Sequence, residues 1–367
     1  SVREGASMEL ITILKEAIRQ GASDVHIAAD SQTMIRVNGE LQPLTQIPPL
    51  DGATVAAMMG RILTDAQRAR FEKELNVDCT FGLDTMRFRM SVTVQRHGME
   101  AVIRMFNNQI PLPEELYLPP AVVGLTELKR GLVLVTGPAG SGKSTTIASL
   151  LERINQTRRC KIITVEDPIE FLHASKNSFI SQREIGQHAP NFDIAMRNIL
   201  RQDPDVVLVG EMRDYETIAA AIQIADTGHF VLATLHSLDA PQAVERIVDV
   251  FPGHQQQQIR VQLAIILRAV IAQLLLPRMD GNGRVAAFEV MINTQAVATM
   301  IRQGRTHEIY SAIEMGSSDG MKSMSRSLTE LATKGLIDKR FLPTGQGTAG
   351  VTWPGSAGPR SAGSSDA

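Results

Sequence analysis

Nine consecutive residues, Gly137-Pro138-Ala139-Gly140-Ser141-Gly142-Lys143-Ser144-Thr145, carry the chemistry that the rest of the chain must position. An apolar run, Leu132–Thr136, precedes them, and Thr146–Leu151 follows with amphipathic helical spacing. Strand, glycine-rich turn, Gly-Lys-Ser and helix make a P-loop. The glycines let backbone N–H groups curl around a nucleotide's phosphates, and the helix N-terminus adds partial positive charge. Lys143 has the reach for the β- and γ-phosphates, and the Ser144 hydroxyl is a ligand for Mg²⁺. The plain alternative is a glycine turn beside a surface lysine.

Hydrolysis of a γ-phosphate also needs an in-line water and a carboxylate near it. Two glutamates stand at the ends of apolar runs, Glu166 after Ile162–Val165 and Glu211 after Val206–Gly210. The usual Walker B aspartate is missing, since Gly210 occupies its place. Glu211 is therefore assigned to the metal through water, with Ser144, and Glu166 to the base. Exposed turn carboxylates are the competing reading for both. His229 and His236 flank a further run, Phe230–Leu235, at opposite ends. Only His236 is expected at the nucleotide edge, hydrogen-bonded to the γ-phosphate. For His229 a hydrogen-bonded histidine at a strand start competes equally with a functional one. Arg87, Arg89 and Arg104 fall on one predicted hairpin. They are either a solvated face or phosphate contacts reaching across a domain or subunit boundary.

These residues need a frame, and four non-alternating apolar runs supply it: Leu132–Thr136, Ile162–Val165, Val206–Val209 and Phe230–Leu235. Their lack of alternation predicts parallel strands buried on both faces. Ligands bind beyond the carboxyl ends of such strands. That rule gathers Lys143, Ser144, Glu166, Asp167, Glu211 and His236 on one edge.

Upstream, Met8–Gln20 has helical spacing, and Val25–Ala28 and Met34–Val37 read as strands, with Asn38-Gly39 as a hairpin turn. Residues 52–63 and 65–75 read as helices, the second capped by Thr64. Val77–Leu83, Met86–Gln95 and Glu100–Phe106 read as strands, the last two paired across Arg96–Met99. The expected organisation is an α+β domain over 8–107, a proline-containing linker over 108–120 and an α/β nucleotide-binding core over 121–292. Within that core the chain is expected to be helical from Asp239 to Ala269. Gln273–Leu276 and Arg284–Ile292 then form a hairpin. Three helices, Thr294–Gln303, His307–Met315 and Ser323–Lys334, make a helical subdomain over 293–342, and 343–367 reads as a disordered tail. Ser1–Ser7 reads as a leader, with Met8 a plausible start.

Composition sets outer bounds. The chain has 367 residues, 43% hydrophobic and 21% charged, with a formal net charge of −2. That balance argues against a nucleic-acid binder, including a DNA translocase. Two cysteines do not make a four-cysteine zinc site. With no secretory signal and no apolar run near 18 residues, a cytoplasmic protein is expected.

Four segments in this order resemble the secretion ATPases of type II secretion and type IV pilus systems, and within them the twitching-motility retraction ATPases of the PilT and PilU type. Gly137–Thr145 is similar to their Walker A, Ile163–Glu170 to their Asp box, Arg201–Asp214 to their glycine-containing Walker B, and Thr227–His236 to their His box. The resemblance spans about residues 8–340. It implies a PAS-like N-terminal domain joined to a RecA-like ATPase domain, an ATP- and Mg²⁺-dependent hexamer, and a catalytic Glu166. It also implies that Arg87, Arg89 and Arg104 face phosphate and that both histidines belong to the motif. The implied partners are the inner-membrane pilus platform protein and a paralogous retraction ATPase, with membrane contact only through the former. Assembly-type relatives carry a four-cysteine insert that this chain lacks, which favours retraction. Met300–Arg305 matches the retraction class's "AIRAGE" motif only in part, with Arg305 in place of its final glutamate. A motor of another envelope machine and an accessory ATPase modulating a paralogous motor stay open as alternatives.

Overall fold

Leu10, Ile13, Leu14 and Ala17 put one apolar stripe on the first helix, and all four are buried. In the computed structural model the described residues are 8–37, 39–83, 86–107, 109–281 and 283–342. The leader, Asn38 of the hairpin turn and the tail from 343 lie outside them. The chain divides into two compact units. The first runs to Gln109 and includes Glu170–Leu172, and the second holds Ile110–Ile169 and the residues from His173 onward.

The first unit contains α1 (Met8–Arg19), β1 (Asp24–Ala28), β2 (Met34–Val37), β3 (Glu40–Pro43), α2 (Gly52–Ile62), α3 (Asp65–Glu74), β4 (Asn76–Leu83), β5 (Met86–Gln95) and β6 (Gly98–Asn107). Thr64 caps α3 in a reciprocal capping box with Gln67. The strands form an antiparallel sheet in the order β3-β2-β1-β6-β5-β4. Gln95 pairs with Gly98, so the β5–β6 turn is tighter than the predicted Arg96–Met99. One face of the sheet, with Val25, Ile27, Phe88, Met90 and Ile103, packs against Leu10, Leu14, Met58 and Met59 of the helices. Alternation puts Arg87, Arg89 and Arg104 on the opposite face.

The second unit contains α4 (Pro120–Gly124), β7 (Gly131–Thr136), α5 (Lys143–Thr157), β8 (Lys161–Glu166), β9 (Phe179–Glu184), α6 (Phe192–Arg197), β10 (Val206–Val209), α7 (Tyr215–Asp226), β11 (Phe230–Thr234), α8 (Ala240–Asp249) and α9 (Gly253–Ile266). It closes with β12 (Leu267–Pro277), β13 (Arg284–Ile292), α10 (Gln295–Gln303), α11 (Ile309–Met315) and α12 (Met324–Thr333). The sheet order is β13-β12-β7-β11-β10-β8-β9, parallel from β12 to β9 with β13 antiparallel at the edge. Ile147, Leu150, Leu151 and Ile154 of α5 pack on the face formed by Val133, Val135, Ile162, Leu208 and Leu232. The other face, with Leu134, Val165, Val209 and Ala233, is covered by α7, α8 and α9. Burial on both faces is why these strands do not alternate.

The structure corrects three expectations. Helix ends at Ile266, and the strand expected over Gln273–Leu276 runs from Leu267 to Pro277. Leu263–Leu276 is apolar almost throughout, and periodicity does not separate a buried strand from a buried helix in such a run. The strand β11 stops at Thr234, leaving Leu235 outside it. The helix expected from His307 starts at Ile309, after a 3₁₀ turn over Thr306–Glu308. Among the described residues no helix is long and apolar enough to cross a membrane.

Candidate functional site

Because β7, β11, β10 and β8 are adjacent and parallel, the chain leaves each of them at the same edge. The P-loop follows β7, His236 follows β11, Gly210-Glu211 follows β10, and Glu166 ends β8. Side-chain contacts run along that edge in the same order. Lys143 Nζ stands 3.5 Å from His236 Nδ1, and His236 Nε2 lies 3.0 Å from Glu211 Oε1.

The loop itself is shaped by what lies beneath it. Gly137 and Gly142 have φ of 140° and 88°, in the left-handed region that favours glycine. A Cβ on Gly137 would come 2.3 Å from the Gln273 carbonyl oxygen, and one on Gly142 would come 2.8 Å from Gln273 Nε2. Gln273 of β12 is 2% exposed, and its side chain spans the loop. Its Nε2 donates to the Ser141 carbonyl (2.7 Å), and its Oε1 accepts from Thr146 Oγ1 (2.8 Å). Lys143 begins α5, and its Nζ donates to the carbonyls of Gly137 (2.8 Å) and Pro138 (3.0 Å). Among the described residues the buried Ser141 Oγ has no hydrogen-bond partner. Ser144 is half-buried on the first turn of α5.

Both carboxylates are held by neighbours. Glu166 Oε1 accepts from Thr164 Oγ1 (2.6 Å) and Gln182 Nε2 (3.3 Å). Glu211 Oε2 pairs with the Arg213 guanidinium at 2.6 Å. Burial works to raise the Glu211 pKa, but the Arg213 bond and charge, with His236 and Lys143, hold it below the ordinary carboxylate range. Burial and then the Lys143 charge push His236 below its ordinary value, against the opposing pull of Glu211. His236 is thus neutral near pH 7. Lys143 offers no acceptor, so the imidazole proton is assigned to Nε2, where it faces Glu211.

The remaining candidates sit elsewhere. His229 precedes β11 at the opposite edge, with Nδ1 3.0 Å from Thr227 Oγ1 and 3.2 Å from the Ile224 carbonyl. The sheet therefore does not bring it beside Lys143. In the first unit Arg104 Nε donates to Asp24 Oδ1 (2.8 Å), Arg89 pairs with Asp78 at 3.5 Å, and Arg87 donates to Thr80 Oγ1 (3.0 Å). Arg89 and Arg104 are direct cross-strand neighbours, which puts two like charges side by side.

A family model described as "Type II/IV secretion system protein" matches residues 5–334. The chain belongs to this family. It is 42% identical over 333 residues to the type IV pilus retraction ATPase PilT of Pseudomonas aeruginosa, covering 90% of this chain and 96% of that protein. It is 38% identical to the type IV pilus ATPase PilU of the same organism, over 90% of this chain and 86% of PilU. A solved structure of the pilus retraction motor PilT with bound ADP superposes with a TM-score of 0.84 at 41% identity, covering 91% and 95% of the two chains. The glycine before the Walker B glutamate has a local cause in this member of the secretion family. A Cβ on Gly210 would meet Glu166 Cα and the Val165 carbonyl oxygen, each at 3.0 Å. The absent aspartate is the condition for bringing β8 and its glutamate this close.

Two site residues escaped the sequence reading. Gln273 was visible only as an interruption of an apolar run, and a buried polar residue there was the signal to follow. Gln182 lies on β9, an edge strand with mostly polar residues that gave no strand signal.

Proposed function

We propose that this chain is an ATP-hydrolysing motor of type IV pilus retraction, working as a homohexamer at the cytoplasmic face of the inner-membrane pilus platform protein. The carrying observation is the row Lys143, His236, Glu211 and Glu166 along one sheet edge, in a chain so similar to PilT along its whole matched length.

In this reading the P-loop amides and Lys143 bind the triphosphate. Glu166 orients and deprotonates the attacking water, and His236 hydrogen-bonds the γ-phosphate. The hydroxyl of Ser144 and the ionised carboxylate of Glu211 are the oxygen donors that suit Mg²⁺. When bound, that ion neutralises charge on the β- and γ-phosphates. Arg87, Arg89 and Arg104 are assigned to a phosphate presented by a neighbouring subunit, exchanging Thr80, Asp78 and Asp24 for it. His229 is kept as a motif residue whose part lies outside this edge.

Two measurements test the reading. Purified chain should hydrolyse MgATP, and Lys143→Ala and Glu166→Gln should abolish turnover. Deletion in a piliated host should leave surface pili and remove twitching. Normal pili with lost secretion would assign the chain to another envelope machine. Full function of the Glu166→Gln variant would support an accessory role beside a paralogous motor.

A further inference from the structure

Glu166 ends β8 at the outer side of the row, beside β9. Thr164 and Glu166 are two apart and share a face of the strand, and Gln182 of β9 is the register partner of Thr164. Three side chains thus converge on one face. Thr164 and Gln182 both donate to the same carboxylate oxygen, Oε1 of Glu166. Gln182 is itself held, because its Oε1 accepts the His173 N–H at 2.9 Å. That bond decides which end of the carboxamide faces Glu166, so the NH₂ end must point at the carboxylate. His173 is anchored in turn. Its Nδ1 lies 3.0 Å from Glu152 Oε2 on α5, the helix that starts at Lys143. Lys176 pairs with the other oxygen of Glu152 at 2.5 Å. An unbroken chain of contacts therefore ties the P-loop helix to the Glu166 carboxylate through Glu152, His173 and Gln182.

We propose that Gln182 is a positioning residue for hydrolysis, setting the orientation of the Glu166 carboxylate through its Nε2–H. The proposal rests on Glu166 acting as the base. A base must hold its water within about 2.6–3.2 Å and in line, so a carboxylate free to rotate loses most of its use. Gln182 does not touch the reacting atoms. It fixes one oxygen and thereby the plane in which the other points.

The discriminating variant is Gln182→Glu. It keeps an acceptor for the His173 N–H, so any purely structural duty at residue 173 survives. It loses the donor to Glu166 and sets a like charge beside it. Gln182→Met removes the bonds to Glu166 and to the His173 N–H at similar volume. Steady-state hydrolysis should show kcat lowered about 10- to 100-fold in Gln182→Glu, with KM for MgATP within about twofold. The acid limb of its pH–rate profile should move up by about one unit, since a lost donor and a new negative charge both favour protonated Glu166. Gln182→Met should lower kcat with a smaller shift of that limb. Thermal unfolding identifies any variant that fails to fold.

Parental kcat and an unmoved acid limb in a folded Gln182→Glu protein, while Glu166→Gln is inactive, would overturn the positioning role and leave the base assignment standing. Turnover by Glu166→Gln would remove the base assignment, and this proposal with it.

Discussion

Restoring the aspartate that most P-loop enzymes carry should damage this one. The smallest version of that change is Gly210→Ala. The new Cβ would sit 3.0 Å from Glu166 Cα, 3.0 Å from the Val165 carbonyl oxygen and 3.4 Å from Glu166 Cγ. Ordinary carbon contacts are about 3.5–4.0 Å, so the strands must part by about 0.5 Å. The nearest obstacles are backbone, and they cannot rotate away. The Val165 carbonyl also accepts the Gly210 N–H at 2.8 Å, so the separation stretches a ladder bond as well. Overpacking of this kind costs about 1–3 kcal/mol. Reduced freedom of the unfolded chain returns about 0.4–1 kcal/mol. The net loss, at most about 2.6 kcal/mol, lowers the melting temperature of a unit this size by up to roughly 10 °C. Turnover should suffer more. Displacing a catalytic group by 1 Å costs about 100-fold, so with Glu166 as the proposed base about half that shift predicts kcat down roughly tenfold at 25 °C, where the protein is still folded. Gly210→Asp should be worse, because its carboxylate adds charge beside Glu166. Coupled-enzyme assays at saturating MgATP and a thermal melt decide the matter. Parental kcat in both variants would refute the steric account of Gly210.

Gln273→Leu should destabilise the second unit by about 2–4 kcal/mol, because it strands the Ser141 carbonyl and the Thr146 hydroxyl in a buried setting. It should also raise the Kd for ATP, read by nucleotide titration, whereas a Kd unchanged in folded protein would count against the clamp. Glu289, buried on β13 and accepting the Ala240 N–H, is pushed up by burial from 4.5 to about 7. The folded chain then holds a proton that the unfolded chain releases, so stability is full below about pH 4.5 and falls as pH rises toward 7. Glu289→Gln lacks that fall, and its melting temperature relative to the parent should climb between pH 5 and 7.5 by the equivalent of about 2.4 kcal/mol. A difference that stays flat across this range would mean that Glu289 is ionised in the fold.

The edge that gathers Lys143, Glu166, Glu211 and His236 was legible because its signals are local and its geometry is generic. A strand buried on both faces reads as an unbroken apolar run, and parallel strands in one sheet put their ends together. Lys143, Glu166, Glu211 and His236 needed nothing more. The side chains that support them were not legible, since each acts through tertiary proximity. Gln273 meets the P-loop from a strand more than a hundred residues away in sequence, and Gln182 sits on a strand whose polar residues mark it only as an edge. The role of Gly210 was invisible for a further reason. A glycine in sequence shows the absence of a side chain but not the backbone that approaches in its place. His229 shows the reverse case, since its motif is plain in sequence while its strand-start position keeps it from the row.

The two glutamates of the row are each held by named neighbours. Glu211 meets the Arg213 guanidinium and the His236 Nε2–H, with the Lys143 charge nearby, and this environment keeps it ionised and suited to a cation. Glu166 takes bonds from the Thr164 hydroxyl and the Gln182 carboxamide. In the proposed function Lys143 links the row to the triphosphate. Its Nζ donates to the Gly137 and Pro138 carbonyls and lies near His236 Nδ1, and each of these three contacts is a weaker attraction than a polyphosphate. A bound triphosphate therefore competes for the ammonium against the histidine's immediate surroundings. His236 is in turn close to a fixed point of the sheet, since Thr136 Oγ1 accepts the Ser237 N–H and donates to the Ser237 carbonyl. In the proposed function the imidazole responds to the γ-phosphate, while the backbone next to it stays clamped to the strand that feeds the P-loop.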